Sequence, residues 1–202
     1  LGITQGGSPD EVKRRMETRK EATVEAEAKR KALNKYIRHK NYEFNCHGVE
    51  LGQRYESDAV VSDGTPEPEY TRDAELYYHP TTWPGARLPH IWVNLNQQQV
   101  STLDLVGRGR FTLLTGVSGN AWSDAVAQVS AELGAEIRAF QIGPGCEVND
   151  TFGDWALQSE ISDGGAILVR PDAHVAWRTQ SMSADPSADL RNAMLKILGR
   201  TS

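Results

Sequence analysis

The spacing of apolar side chains changes character three times along the chain. Over residues 8–40 the apolar positions Val12, Met16, Val24, Leu33 and Ile37 are isolated among runs of charge. That is too sparse for a core helix, whose buried stripe needs three to four apolar residues in every two turns. Nothing in the stretch forbids helix, however. Ser8-Pro9-Asp10-Glu11 reads as a helix start, with Ser8 as cap, Pro9 in the first turn and Glu11 placed to close a capping box. Thr23-Val24 is a weak spot, so the pattern predicts one or two helices lying on another surface. Over residues 41–100 helical periodicity disappears. Residues 49–55 alternate as a strand would, Asp63-Gly64-Thr65-Pro66-Glu67-Pro68 is loop chemistry, and Pro80, Pro84 and Pro89 keep the following stretch extended. A long segment of this kind lies across a neighbouring surface, and we expect a connecting arm.

From residue 101 onward the pattern is that of an α/β domain. Residues 111–115 form a short apolar run, 116–120 a turn, and 121–133 a helix with Trp122, Ala125, Val126, Val129 and Leu133 on one face, ended by Gly134. A second strand is expected over 136–142 and a short helix over 154–161. Residues 166–170 and 174–178 read as a hairpin around Pro171-Asp172-Ala173. An amphipathic helix over 185–198 closes the domain. A right-handed crossover makes the first two strands parallel, and the hairpin adds an antiparallel edge. Strand, helix, strand, helix, hairpin, helix is the order of a thioredoxin-like fold. The expected organisation is therefore a helical segment over 1–40, an arm over 41–100 and a thioredoxin-like domain over 101–202.

In redox thioredoxins the turn after the first of these strands carries C-x-x-C at a helix start, where the helix dipole lowers a thiol pKa. Here the turn reads Thr115-Gly116-Val117-Ser118-Gly119-Asn120 and holds no sulfur. The two cysteines, Cys46 and Cys146, form no C-x-x-C, and we expect two reduced thiols in a cytoplasmic setting, with a single long-range disulfide as the alternative. The five histidines have no metal-ligand spacing, so no metal site is expected. Gly107-Arg108-Gly109 and Gly143-Pro144-Gly145 each lack the third glycine of a dinucleotide fingerprint, and the first precedes a strand instead of following one. Ser118 lacks an identifiable base, which favours a polar turn over a nucleophile. Asp172 and Arg178 suggest a binding pair, yet a hairpin turn and an exposed strand end account for them more simply. No catalytic or cofactor-binding residue emerges.

Composition narrows the function classes. With 39% hydrophobic and 24% charged residues a packed core forms without staples. The net charge of −5 argues against a general nucleic-acid binder. Residues 8–40 are the one basic stretch, with eleven Lys and Arg against six acids, but without an aromatic platform they read as a solvated helix face. No apolar run approaches the roughly 20 residues of a membrane span, and no basic-then-apolar leader opens the sequence. Neither a membrane nor a nucleic-acid partner is expected. The chain begins Leu1-Gly2-Ile3, which leads us to expect a fragment or processed chain.

Several stretches resemble the C-terminal region of FAD-dependent aromatic-ring hydroxylases, above all the phenol and chlorophenol monooxygenases. They are Asn41-Tyr42-Glu43-Phe44-Asn45, residues 50–55, Tyr77-Tyr78-His79-Pro80-Thr81-Thr82-Trp83-Pro84-Gly85-Ala86-Arg87-Leu88-Pro89-His90 and residues 109–114. The most specific is Leu168-Val169-Arg170-Pro171-Asp172-Ala173-His174-Val175-Ala176-Trp177-Arg178. The resemblance runs from about residue 6 to residue 178. It implies a parent enzyme that uses FAD, NAD(P)H and O2 to hydroxylate a phenol beside its hydroxyl. It also implies flavin and substrate domains upstream of this chain, a parent homodimer, and a C-terminal domain that serves subunit contacts without chemistry. The signature residues Arg170, Pro171, Asp172, Val175, Ala176, Trp177 and Arg178 are then structural, and this chain alone binds neither FAD nor NAD(P)H. Ala173 stands where the family often has Gly, so the turn type is in question. The alternative reading is a self-standing thioredoxin-like binding or assembly module.

Overall fold

The computed structural model describes residues 6–200. The predicted basic helix is two. Helix α1 (Pro9–Thr18) is capped by the Ser8 hydroxyl, which accepts from the Glu11 N–H at 3.3 Å. The Glu11 carboxylate accepts from Arg15 at 2.6 Å. Helix α2 (Val24–His39) begins at the predicted weak spot, because Thr23 caps it by accepting from the Ala26 N–H. Two short helices follow, α3 (Asn41–Phe44) and α4 (His47–Leu51). Of the strand expected over 49–55, residues 49–51 end a helix and only Arg54 makes a β-bridge, antiparallel to Ala86. The alternation was misleading because Val49 and Leu51 are both exposed, so no buried face selects a strand. Gly48 instead serves close approach: a Cβ there would lie 1.8 Å from the Ala74 carbonyl oxygen.

Two sheets form the body of the chain. The smaller has the order β2-β1-β5, built from the hairpin β1 (Trp92–Leu95) and β2 (Gln98–Ser101) and from β5 (Val148–Asn149). The hairpin was not expected from the sequence. Its turn, Asn96-Gln97, reaches the left-handed φ values of 52° and 64° without a glycine to announce it. Short α5 (Thr102–Leu105) follows β2 directly, with a capping box between Ser101 and Asp104.

The larger sheet has the order β4-β3-β6-β7, from β3 (Phe111–Thr115), β4 (Ile137–Gln141), β6 (Ala166–Val169) and β7 (Val175–Thr179). Strands β3 and β4 are parallel, while β3–β6 and β6–β7 are antiparallel. That is the parallel pair with an antiparallel hairpin edge that the element order predicted. Helices α6 (Asn120–Leu133) and α8 (Pro186–Ile197) pack against it, and α7 (Asp154–Gln158) leads toward β6. Gly134 ends α6 in the left-handed conformation at φ 61°, as expected of a C-terminal glycine.

Alternation along the strands divides the core in two. Leu113, Leu168 and Ala176 point toward α6 and α8, where they meet Trp122, Val129, Leu190 and Met194. Leu114, Ile167, Val169 and Val175 point the other way, to Leu88, Ile91, Val93, Phe140 and Trp155. Central strand β6 is buried at every position because both faces are covered. The segment over 41–100 enters this second layer through Leu88, Ile91 and Val93. Its backbone also covers the outer edge of β7. The Val61 N–H donates to the Ala176 carbonyl at 2.7 Å, the Gly85 N–H to Val175 at 2.8 Å, and the Val175 N–H to Ala86 at 2.8 Å. An edge strand that would otherwise offer free amides is thereby closed by the chain's own arm.

Candidate functional site

The signature segment 168–178 spans β6, the hairpin turn and β7, and alternation sends its members to different tasks. Val175 and Ala176 are fully buried, one in each core layer. Trp177 packs edge-on to Trp122 with ring centroids 5.8 Å apart, and the Trp122 indole N–H donates to the Gly164 carbonyl at 2.9 Å.

The turn is held by charge. Arg170 donates to Asp172 at 2.7 Å, and the Ala173 N–H donates to the Arg170 carbonyl at 3.0 Å. Ala173 adopts φ 66°, so the turn takes the left-handed conformation without a glycine. The arm reaches back to this turn: Tyr55 stands edge-on to His174 at 4.6 Å, and the Arg170 guanidinium lies 5.4 Å from the Tyr55 ring centre. Pro171 faces the 107–109 turn, where a Cβ on Gly107 would lie 3.3 Å from the Pro171 carbonyl oxygen.

Arg178 corrects the sequence reading. It was expected at an exposed strand end, yet its side chain is 4% exposed. Its Nε donates to Asp63 Oδ2 at 2.5 Å and its Nη1 to Glu160 Oε2 at 2.5 Å and to Thr82 Oγ1 at 2.9 Å, while Nη2 donates to Thr65 Oγ1 at 3.2 Å. The carboxylates are themselves held. Asp63 Oδ1 accepts from the Thr65 N–H and hydroxyl, and Glu160 Oε2 accepts from the Thr81 hydroxyl and the Thr82 N–H. Burial pushes the Asp63 carboxyl up, but the Thr65 hydrogen bonds and the Arg178 guanidinium outweigh it and hold the group below its ordinary value. Asp63, Thr65, Thr81 and Thr82 belong to the arm, Glu160 follows α7, and Arg178 lies in β7. The sequence could not foresee this, because Asp63 and Arg178 are 115 residues apart. The guanidinium donors are spent on internal partners, which makes a lock between arm and sheet and leaves little for a ligand.

The turn after β3 is likewise occupied by the protein itself. A Cβ on Gly116 would lie 2.6 Å from the Asp163 carbonyl oxygen, and the Ser118 N–H donates to that oxygen at 3.0 Å. This is the place where a dinucleotide phosphate would need free amides at a helix start, so these residues do not fit a flavin or nicotinamide pyrophosphate. The Gly107–Gly109 turn does not fit either, since β3 and not a helix follows it. A Cβ on Gly143 would press on the Val117 side chain of the β3–α6 turn and lie 3.8 Å from Cys146 Sγ. Burial pushes this thiol up, the opposite of an activated cysteine. Cys46 is also free, and burial raises it with help from Glu75, Glu50 and Asp73. Among the described residues no group of three or more His, Cys, Asp or Glu is arranged to hold a metal ion, and no helix is long and apolar enough to cross a membrane.

Residues 81–201 match the model of the family described as aromatic-ring hydroxylase, C-terminal. The whole chain is 50% identical to 34% of the 2,4-dichlorophenol 6-monooxygenase of Cupriavidus pinatubonensis. Over 94% of its length it is 44% identical to 31% of the phenol 2-monooxygenase of a Pseudomonas strain. Among solved structures, the flavin-dependent monooxygenase PieE in complex with FAD and substrate superposes on 99% of the chain with a TM-score of 0.85 and 46% identity, using 34% of that protein. The chain thus spans about a third of the length of the curated relatives it matches.

Proposed function

The chain belongs to the aromatic-ring hydroxylase C-terminal family, and on that premise we propose that it is the C-terminal portion of an FAD-dependent monooxygenase that hydroxylates a phenol beside its hydroxyl, with NAD(P)H as reductant and O2 as oxidant. The observation that carries this reading is the match of the entire chain, at 50% identity, to a chlorophenol monooxygenase about three times as long. FAD, NAD(P)H and the phenol are then held by the remaining length of the enzyme. This portion contributes contacts between domains and between the subunits of a cytoplasmic homodimer. A non-catalytic role is supported by the Arg178 donors, which are consumed internally, and by the Gly116–Ser118 turn, which is packed onto Asp163. The signature residues 170–178 accordingly build the hairpin, the core and the lock.

Purified alone, the chain should show no flavin absorbance and no phenol-dependent NAD(P)H oxidation. Stoichiometric FAD retained through gel filtration would overturn the assignment of flavin binding to the rest of the enzyme.

A further inference from the structure

Helices α1 and α2 are ten and sixteen residues long, yet they bury one side chain between them, Ala26. Neither core layer draws on a residue before Val61. What holds the two helices together is thin: Arg30 donates to the Arg19 and Glu21 carbonyls across the link between them. Helices of this length are marginal in water without tertiary packing. Along α2 and into α3, apolar side chains instead face solvent, with Val24 86%, Tyr36 69%, Ile37 55% and Phe44 74% exposed. The charge is just as uneven. Residues 8–40 carry a net +5 while the rest of the chain carries −10. Lys35 and Arg38, flanking Tyr36 and Ile37, make no ion pair among the described residues.

Helices with so little to hold them are nonetheless placed as in a whole enzyme, since PieE superposes on 99% of the chain with a TM-score of 0.85. The chain's own contacts do not account for that placement. We infer that the exposed C-terminal end of α2, together with α3, is the docking surface for the flavin- and substrate-binding portion of the same enzyme, which surrounds Tyr36 and Ile37, covers Phe44 and meets Lys35 and Arg38 on the opposite side of the helix. This rests on the proposed function above and adds which surface makes the contact. The complementary surface is apolar with acidic margins, because two unpaired cations beside apolar groups select that chemistry.

The test uses hydrogen exchange on two proteins. One is the chain alone. The other is a full-length chimera in which the chain replaces the matching third of the Cupriavidus 2,4-dichlorophenol 6-monooxygenase. In the chain alone, α2 amides should exchange near the unprotected rate while β3 and β6 stay protected. In the chimera, α2 should exchange roughly a hundredfold more slowly. A Tyr36→Asp, Ile37→Asp chimera should lose that protection and part of its FAD, whereas Leu157→Asp, at an exposed position of α7, should change neither. Strong α2 protection in the monomeric chain alone overturns the inference, whatever the chimera does. So does α2 protection in the chain alone that rises with concentration, since a second copy then covers the face. An active, FAD-loaded chimera with unprotected α2 overturns the docking face alone. A folded chimera that binds no FAD and oxidises no NAD(P)H overturns the proposed function instead.

Discussion

Replacing Arg178 by Met keeps most of the side-chain volume, so little of the effect comes from a cavity. What is lost is a guanidinium that makes four hydrogen bonds and pairs with two carboxylates. The Asp63 and Glu160 side chains are 5% and 34% exposed. Removing one partner of a buried pair costs about 3–5 kcal/mol, because the remaining charge is left uncompensated. Water reaching Glu160 favours the lower end, about 3 kcal/mol, and the penalty falls mainly on Asp63. The sign of the pH dependence follows. With Arg178 present the Asp63 pKa is depressed, so its ionised form stabilises the fold above its unfolded pKa of about 3.9. That contribution is lost as pH falls through the lower folded value. Without Arg178 only the Thr65 hydrogen bonds oppose burial, so the Asp63 pKa rises from its depressed value and acidification neutralises the stranded charge in the variant first. Urea unfolding of Arg178→Met and of the parent chain at pH 7 and at about pH 5 should therefore give a deficit that shrinks at the lower pH. The double variant Asp63→Asn, Arg178→Met should recover part of the loss at pH 7. A deficit below about 1 kcal/mol at pH 7, the range of exposed ion pairs, or one that grows on acidification would refute the lock.

The remaining expectations concern the turns and the thiols. Ala173 holds φ 66°, so Ala173→Gly should remove a left-handed penalty and raise stability by up to about 1 kcal/mol, read from the urea midpoint. Gly116→Ala places a Cβ 2.6 Å from the Asp163 carbonyl oxygen and should cost about 1–3 kcal/mol as the turn is pushed off the loop that precedes β6; an unchanged melting temperature would contradict this close packing. Cys46 and Cys146 are both raised, so iodoacetamide should alkylate the folded chain more slowly than free cysteine at pH 8, with rates climbing only at higher pH. Fast labelling of Cys146 at pH 7 would show a thiolate that the geometry does not support.

Local chemistry carried much of the architecture. Ser8-Pro9, Thr23 and Gly134 mark helix ends through hydrogen bonds and dihedrals set within a few residues, and they do so in the structure. The order of strands and helices after Phe111 implied the four-stranded sheet, since crossover handedness and hairpin geometry leave few ways to connect it. The family resemblance also rested on residues readable in a line. Where the sequence was misread, the deciding contact was distant. Residues 49–55 alternate, but short α4 takes 49–51, where Gly48 lets the helix approach Ala74. Asn96-Gln97 gives no glycine signal, and the hairpin exists because Val93 has a core to enter on β1. Arg178 looked like an exposed strand end until Asp63, 115 residues earlier, and Glu160 were found beside it. Sequence thus determined where elements start, stop and alternate, because propensities and caps act over one or two turns. Only the tertiary structure decided which charges are buried together and which helices lack a core, because burial depends on what the rest of the chain places there.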